Sequence, residues 1–304
     1  MMKKTVLKKY AELIVKKGAN VRKGQEVMIV AGLDQPEFVY MVADSAYKAG
    51  ASKVMVEWEY QPLTKLNIQK RSLSVLSRVE KWEVEKLEHR AETLPAMIYL
   101  ESSDPDGLAG INQTKYAKST QARMKIIKPI RDRMENKYQW VIAAVPGKAW
   151  AKKVFPNERP SRAVEHLWEV ILKASRADGD DPVSAWNKHN SDLAGRCEYL
   201  NSLGLDAVEI SSSNGTNVRI GLIPDALFMG GAETAMGSGT VFNPNIPSEE
   251  VFVTPMKGSA EGIVYSSKPF SYRGQLIKSF SVVKTEKRFL SKQIRNARRR
   301  FSGR

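Results

Sequence analysis

The chain has 304 residues, of which 42% are apolar and 27% are charged. This length predicts about two domains, and the apolar fraction is high enough to exclude a disordered protein. Lys and Arg number 48 against 33 Asp and Glu, so the net charge is +15. Residues 284–304 carry nine basic residues and one acidic residue, which leaves a net charge of only +7 for the preceding 283 residues. A strongly basic body is therefore excluded.

Cysteine content and hydropathy restrict the class of protein further. The single cysteine, Cys197, excludes an intramolecular disulfide framework and a zinc site with several cysteines. No run approaches the roughly 18 consecutive apolar residues that a membrane-spanning helix needs. The basic N-terminus is not followed by the apolar stretch of a signal peptide. We therefore expect a cytoplasmic protein without a membrane anchor.

The first two thirds of the sequence alternate between apolar runs and helical patterns. Helical periodicity precedes Gly18 and follows Pro36, and it continues over residues 62–93, 112–136, 161–176 and 182–202. Between these patterns lie four short apolar runs, at residues 26–31, 53–58, 96–100 and 140–145. Strands separated by helices in this way predict an α/β domain over residues 1–203, with a mostly parallel sheet flanked by helices.

The pattern changes after residue 203. Residues 206–211 and 216–222 are β-like and are joined around Ser213-Asn214-Gly215, which is a strong hairpin signal. Further β-like runs lie at 250–253, 263–265 and 275–283. We predict an antiparallel β-rich region over residues 204–283, followed by a disordered basic tail over 284–304.

Nucleotide-binding motifs are absent from the sequence. The turn after the first predicted strand, residues 31–36, has one glycine and places Asp34 where a pyrophosphate would lie. A local cap or turn role for Asp34 is the favoured interpretation. No phosphate-binding P-loop occurs, so the α/β pattern alone does not indicate a nucleotide site.

Histidine and cysteine patterns give no catalytic constellation either. His166 lies three residues before Glu169, and His89 lies four residues after Glu85, so each pair could share one helix face. Solvated surface pairs are favoured over metal ligands for both. Cys197 falls within a helical pattern and is favoured as a half-buried packing residue.

Two adjacent carboxylates, Glu249 and Glu250, lead into the β-like run that contains Phe252. Alternation along a strand sends them to opposite faces, so one of them shares its face with Phe252. A carboxylate on an apolar face needs a cation or hydrogen-bond donors. The pattern allows a metal ligand or a buried salt bridge, favours the salt bridge, and does not choose between the two glutamates.

Several ordered motifs over about residues 5–283 resemble one known family. They are residues 7–15, residues 144–151, Arg176-Ala177-Asp178, Asp181-Pro182-Val183, Trp186, His189-Asn190, residues 215–222, Gly230-Gly231, residues 245–252 and residues 261–269. Together they resemble the aminopeptidase T and aminopeptidase S family of metallopeptidases.

The resemblance implies an enzyme that removes N-terminal residues from peptide substrates and acts as a homodimer. It implies two divalent metal ions per site (zinc, cobalt, manganese or magnesium), which polarise the scissile carbonyl and activate water. By the same resemblance Glu250 is the first metal ligand. Residues 204–283 would then begin a catalytic domain. Glu250 would face a cleft with Phe252 beneath it, and Glu249 would point to solvent.

The sequence departs from the family after Val283. The family's further ligands, a glutamate, two histidines, a tyrosine and an aspartate, come later in the chain. After Glu250 this sequence has Glu261 and Glu286, and it has no histidine or aspartate. A two-metal site needs about five or six ligands, so we expect an incomplete site. We therefore expect a truncated or frameshifted chain that is weak or inactive alone.

Two alternatives to a peptidase remain at this point. The basic residues 284–304 could neutralise phosphates and bind nucleic acid, although only Phe289 and Phe301 are available there for stacking. This alternative is weighed low, because a charge run is usually solvated. The chain could also be a non-catalytic partner of a full-length relative.

Overall fold

The computed structural model describes residues 3–267, and in addition the backbone of residues 270–272 and 275–277. Its strands are β1 (Glu26–Gly32), β2 (Lys53–Glu59), β3 (Ala96–Glu101), β4 (Trp140–Ala144), β5 (Ala207–Ser211), β6 (Asn217–Gly221), β7 (Met229–Gly230), β8 (Glu233–Ala235), β9 (Thr240–Phe242), β10 (Asn245–Ile246), β11 (Val251–Phe252), β12 (Glu261–Ile263), β13 (Phe270–Tyr272) and β14 (Gln275–Ile277).

Helices precede, separate and follow the first four strands. They are α1 (Lys4–Leu13), which continues into a π-helical turn (Ile14–Gly18), α2 (Pro36–Lys48), α3 (Gln61–Lys70), α4 (Leu73–Ser77), α5 (Lys81–Thr93), α6 (Gln113–Asp132), α7 (Lys148–Val154), α8 (Pro160–Ala174) and α9 (Pro182–Ser202). Within the described residues, no helix combines the length and apolar character needed to span a bilayer.

The four apolar runs form one parallel sheet, as their patterning predicts. The strand order is β10-β4-β3-β1-β2, and every neighbouring pair is parallel. The predicted α/β class, with a parallel sheet and flanking helices, is therefore confirmed. The short strand β10 was not predicted as part of this sheet, because its two residues lie about 100 positions beyond β4 in the sequence.

The stretch predicted as helical over 62–93 is divided into three helices. Its first break follows Arg71, where the chain is extended and the Ser72 hydroxyl accepts a hydrogen bond from the Val75 N–H. At the second break the Glu80 N–H donates to the carboxylate of Glu83, which caps the start of α5. Side-chain caps thus start new helices, α4 and α5, within a stretch that periodicity alone would make one helix.

The described chain forms two compact units that interleave in sequence. The first comprises residues 3–197 and 229–251, and the second comprises residues 198–228 and 252–267. The domain limits expected from the sequence, 1–203 and 204–283, stay a prediction.

The first unit contains the parallel sheet and an aromatic cluster beside it. Tyr10 stacks on Phe38 at a centroid distance of 5.7 Å, and Trp168 contacts both rings edge-on. The Tyr10 hydroxyl donates to the Ala144 carbonyl at 3.0 Å. Burial raises the pKa of Tyr10, so the phenol stays a neutral hydrogen-bond donor.

The second unit contains the antiparallel hairpin expected after residue 203. Strands β5 and β6 pair antiparallel, and β12 adds to the other side of β6. At the turn Gly215 has a φ of 90°, which favours glycine, and the Asn214 side chain accepts from the Thr216 N–H at 3.0 Å. The expected strand over 280–283 and the expected disordered tail over 284–304 lie outside the described residues.

Gly18 marks a close approach between the end of the first helical segment and the sheet. A Cβ at this position would lie 2.8 Å from a methyl group of Val141 and 3.2 Å from the Ile246 side chain. We expect Gly18→Ala to lower the free energy of unfolding by about 1–3 kcal/mol through overpacking. Urea unfolding measures this, with Gly195→Ala as the control, since nothing lies within 4 Å of a Cβ there. Equal stability of the two variants would contradict the expected overlap.

Glu57 on β2 connects the sheet to α5 through two cations. Its Oε2 lies 2.6 Å from Arg90 and 2.7 Å from Lys86. Burial by itself would raise the pKa of Glu57, but the hydrogen bonds and charges of Lys86 and Arg90 outweigh it and lower the pKa.

Because the pKa of Glu57 is lower in the folded state, its ion pairs stabilise the fold fully above the unfolded-state pKa of about 4.3. This stabilisation is lost as the pH falls through the folded-state pKa. We expect Glu57→Gln to be less stable than wild type at pH 7, and the difference to shrink below about pH 4. Chemical unfolding at several pH values measures this, with Glu92→Gln on the exposed side of α5 as the control. A difference that does not change with pH would argue against the ion-pair explanation.

Candidate functional site

The segment that carries Glu249 and Glu250 enters from the edge of the parallel sheet. The Ile142 N–H donates to the Pro244 carbonyl at 2.8 Å, and β10 pairs with β4 through Asn245 and Ile246. The Ile246 side chain is 1% exposed and belongs to the core of the first unit. The backbone is therefore fixed three residues before the two carboxylates.

Glu249 is held by an arginine that follows α8. The Arg176 Nη1 donates to Glu249 Oε1 at 2.6 Å, and Nη2 donates to Oε2 at 3.2 Å. The hydrogen bonds from Arg176 hold the pKa of Glu249 below its usual value. Arg176 also donates to the Ala174 carbonyl at 3.2 Å and has a φ of 54°, in the left-handed region. The carboxylate of Glu249 is therefore ionised and engaged.

A buried histidine holds the residue before this pair. His189 on α9 is 6% exposed, and its Nε2–H donates to the Ser248 carbonyl at 2.6 Å. The imidazole packs edge-on against Trp186 at 5.3 Å, and the Trp186 indole N–H donates to the Ser175 carbonyl at 2.6 Å. These contacts fix the ring of His189 and, through it, the backbone at Ser248.

Glu250 presents an exposed carboxylate next to this held segment. Its Oε2 accepts a hydrogen bond from the Glu249 N–H at 3.1 Å. Among the described residues, the ion pairs within 4 Å do not include one to Glu250. Behind it, a Cβ on Gly230 would lie 2.7 Å from the Glu250 carbonyl oxygen, so only glycine fits at 230 without a shift. Glu250 thus has one oriented oxygen and one available oxygen.

The outcome for the two glutamates differs from the expectation based on strand alternation. Glu249 forms a salt bridge with Arg176, but its side chain is 59% exposed, so this is not the buried salt bridge that the pattern favours. Alternation does not apply here, because β11 begins only at Val251 and residues 247–250 are not part of a regular strand. The expected cleft with Phe252 beneath Glu250, and the role of Glu250 as a metal ligand, stay predictions.

The described part of the chain contains no group of three or more His, Cys, Asp or Glu side chains that could hold a metal ion. Glu250 fits a hard divalent cation as one carboxylate ligand, because it is exposed and only one oxygen is engaged. Its neighbours Glu249 and His189 are occupied by Arg176 and the Ser248 carbonyl. Within the described residues, this segment therefore offers one carboxylate that a metal could use and not the set that two metals need.

The other histidines considered from the sequence take structural roles. His89 pairs with Glu26 at 2.9 Å and not with Glu85. His166 pairs with Glu158 at 2.9 Å and stacks on Phe155 with a centroid distance of 3.9 Å. Each ring is therefore engaged by a carboxylate from another part of the chain, which sequence spacing within one helix cannot reveal.

Asp34 follows β1, whose connection runs towards β2 at one edge of the sheet, whereas the connection after the neighbouring strand β3 runs towards β4 on the other side. Such a switch point is the usual ligand position in open α/β sheets. The Ser102 hydroxyl donates to Asp34 Oδ1 at 2.9 Å, and the Gln35 amide donates to Oδ2 at 3.1 Å. Gly147 lies so close that a Cβ there would overlap the Ser102 carbonyl. Protein groups fill this position, in agreement with the turn role favoured for Asp34.

The partners of the Glu249-Glu250 segment are not predicted by the local sequence pattern. Arg176 and His189 belong to the ordered motifs, but the pattern assigns them no role, because they lie 73 and 59 residues before the groups that they contact. Their presence in the ordered motifs was the available signal.

Comparison with known proteins places these motifs in a family. A family model described as thermophilic metalloprotease (M29) matches residues 3–285. The chain is 35% identical over 277 residues to aminopeptidase AmpS of Bacillus subtilis, covering 91% of this chain and 67% of that protein. It is 34% identical over 272 residues to aminopeptidase T of Thermus thermophilus, covering 89% of this chain and 66% of that protein.

A solved structure agrees with the sequence matches. Wild-type AmpT from Thermus thermophilus superposes with a TM-score of 0.81 at 32% identity, covering 91% of this chain and 68% of that structure. The chain thus spans about two thirds of the length of these relatives. It belongs to the thermophilic metalloprotease family, M29.

Proposed function

We propose that this protein is a metal-dependent aminopeptidase acting on peptide substrates, with Glu250 as one of its metal ligands. The family membership and the relatives named as aminopeptidases support the activity. The observation that carries the site assignment is the exposed carboxylate of Glu250, which has one oxygen oriented by the Glu249 N–H and no cation within 4 Å among the described residues.

The metal pair expected in the family would be zinc, cobalt, manganese or magnesium. When bound, such ions polarise the scissile carbonyl and lower the pKa of water, so that hydroxide is available near neutral pH. The contribution of this chain is to hold a carboxylate in place: β10 fixes the backbone, and the Glu249 N–H fixes one oxygen of Glu250. Binding of divalent metal by this single carboxylate is weak.

The 304-residue chain by itself is proposed to be weakly active or inactive. After Glu250 the sequence has two further glutamates, Glu261 and Glu286, and it has no histidine or aspartate. These residues do not complete a set of about five or six ligands. The chain spans about two thirds of the length of these relatives.

Cytoplasmic location and assembly as a homodimer belong to the same proposal. The single cysteine is typical of a protein from a reducing compartment, and the dimer follows from the family resemblance. The nucleic-acid alternative depends on residues 284–304, which lie outside the described residues, and the aminopeptidase relatives give it no support.

Hydrolysis of amino-acid p-nitroanilides tests the activity. We expect negligible p-nitroaniline release from the 304-residue protein with zinc, cobalt or manganese. We expect release to appear when residues 1–283 are fused to the part of Thermus thermophilus aminopeptidase T that follows the matched region. Robust metal-dependent release from the 304-residue protein would overturn the single-ligand interpretation.

Substitution of Glu250 in the fused protein tests the ligand assignment. Glu250→Ala should lower kcat/KM by at least about a hundredfold, because loss of a ligand exceeds the loss of groups that only orient ligands. Glu261→Gln, which changes another exposed carboxylate, serves as the control. Unchanged kcat/KM in Glu250→Ala would show that Glu250 is not a ligand.

A further inference from the structure

Residues 175–190 contact residues 243–250 at three separate points. Arg176 binds the Glu249 carboxylate with two hydrogen bonds, and the His189 Nε2–H donates to the Ser248 carbonyl. The Asn190 and Asn243 side chains exchange amide hydrogen bonds at 2.8 and 3.1 Å. One short stretch of sequence therefore contacts the segment that leads to Glu250 on both sides of β10 along the chain.

The residue that Arg176 binds, Glu249, also contacts the Glu250 carboxylate. A two-point arginine–carboxylate contact fixes direction as well as distance. With its side chain held in this way, the Glu249 residue directs its N–H to Oε2 of Glu250 at 3.1 Å. The His189 contact restrains the preceding residue through the Ser248 carbonyl. Loss of either contact would release the N–H that orients Glu250.

The ion pair between Arg176 and Glu249 contributes little to the free energy of unfolding. Ion pairs between partly exposed side chains contribute little to the free energy of unfolding, and both side chains are partly exposed. The φ of 54° at Arg176 belongs to the end of α8, where the Arg176 N–H donates to the Lys173 carbonyl and the Ala177 N–H donates to the Leu172 carbonyl. The helix end therefore fixes the backbone from which the Arg176 side chain reaches Glu249.

We propose that Arg176 and His189 are positioning residues, which hold the Ser248-Glu249 backbone so that the Glu250 carboxylate is presented for metal binding. The inference rests on the proposed function of Glu250. Neither residue contacts the metal; both act through the Glu249 N–H and the Ser248 carbonyl.

Metal binding by the 304-residue protein tests the proposal without an activity assay. The ¹⁵N-labelled protein is titrated with MnCl₂, and line broadening of the amide signals of residues 248–251 gives an apparent Kd. Glu250→Gln defines the binding that depends on Glu250. Arg123→Met is the matched control. Arg123 forms a similar ion pair, with an N–O distance of 2.6 Å to Glu83, and neither residue belongs to this segment.

We expect Glu250→Gln to remove the broadening and Arg176→Met to raise the apparent Kd by about tenfold, the effect typical of groups that orient a ligand. Arg176→Lys should lie between wild type and Arg176→Met, because a lysine keeps the charge but loses the two-point contact. Arg123→Met should match wild type. If Arg176→Met does not fold, Glu249→Gln weakens the same contact and should raise the apparent Kd as well.

Two results would overturn the proposal, and they can be told apart. If Glu250→Gln removes the broadening while Arg176→Met and Glu249→Gln bind manganese as wild type does, Glu250 is a ligand and the positioning role is wrong. If Glu250→Gln leaves the broadening unchanged, the ligand assignment fails and the positioning role fails with it. Thermal unfolding measures the loss of stability in Arg176→Met and Arg123→Met. If both variants lose the same stability and only Arg176→Met binds manganese more weakly, the effect on metal binding is separate from the effect on stability, as the positioning role requires.

Discussion

The pairing of β10 with β4 is the constraint on which the candidate site depends. Two residues from the second half of the sequence, Asn245 and Ile246, extend a parallel sheet built from the first half. Because Ile246 is buried in the core of the first unit, the backbone leaves the sheet edge at a fixed place. The two carboxylates lie three and four residues beyond this fixed point, in an irregular segment that Arg176 and His189 contact.

The ion pair with Arg176 distinguishes two adjacent glutamates that strand alternation alone leaves equivalent. Glu249 is bound by Arg176, whereas Glu250 keeps an available oxygen. An arginine that neutralises one carboxylate prevents two uncompensated negative charges from lying side by side when no metal is bound. The ion pair and the exposed carboxylate are therefore parts of one arrangement.

Much of the fold could be predicted from local pattern. Continuous apolar runs such as 96–100 are buried on both faces of a parallel sheet, and Ser213-Asn214-Gly215 favours a tight turn between antiparallel strands. Local pattern failed where a cap or an irregular backbone took over. Ser72 and Glu80 divide a long helical stretch, and residues 247–250 do not follow strand alternation.

The sequence by itself determined the α/β class, the family and the identity of the candidate ligand, since each depends on residue types in a fixed order along the chain. Only the tertiary structure decided that β10 joins the first sheet and that Arg176 and His189 hold the segment before Glu250. These contacts join residues 59 to about 100 positions apart. Periodicity describes neighbours within one helix or strand, and contacts between distant segments depend on how those elements pack.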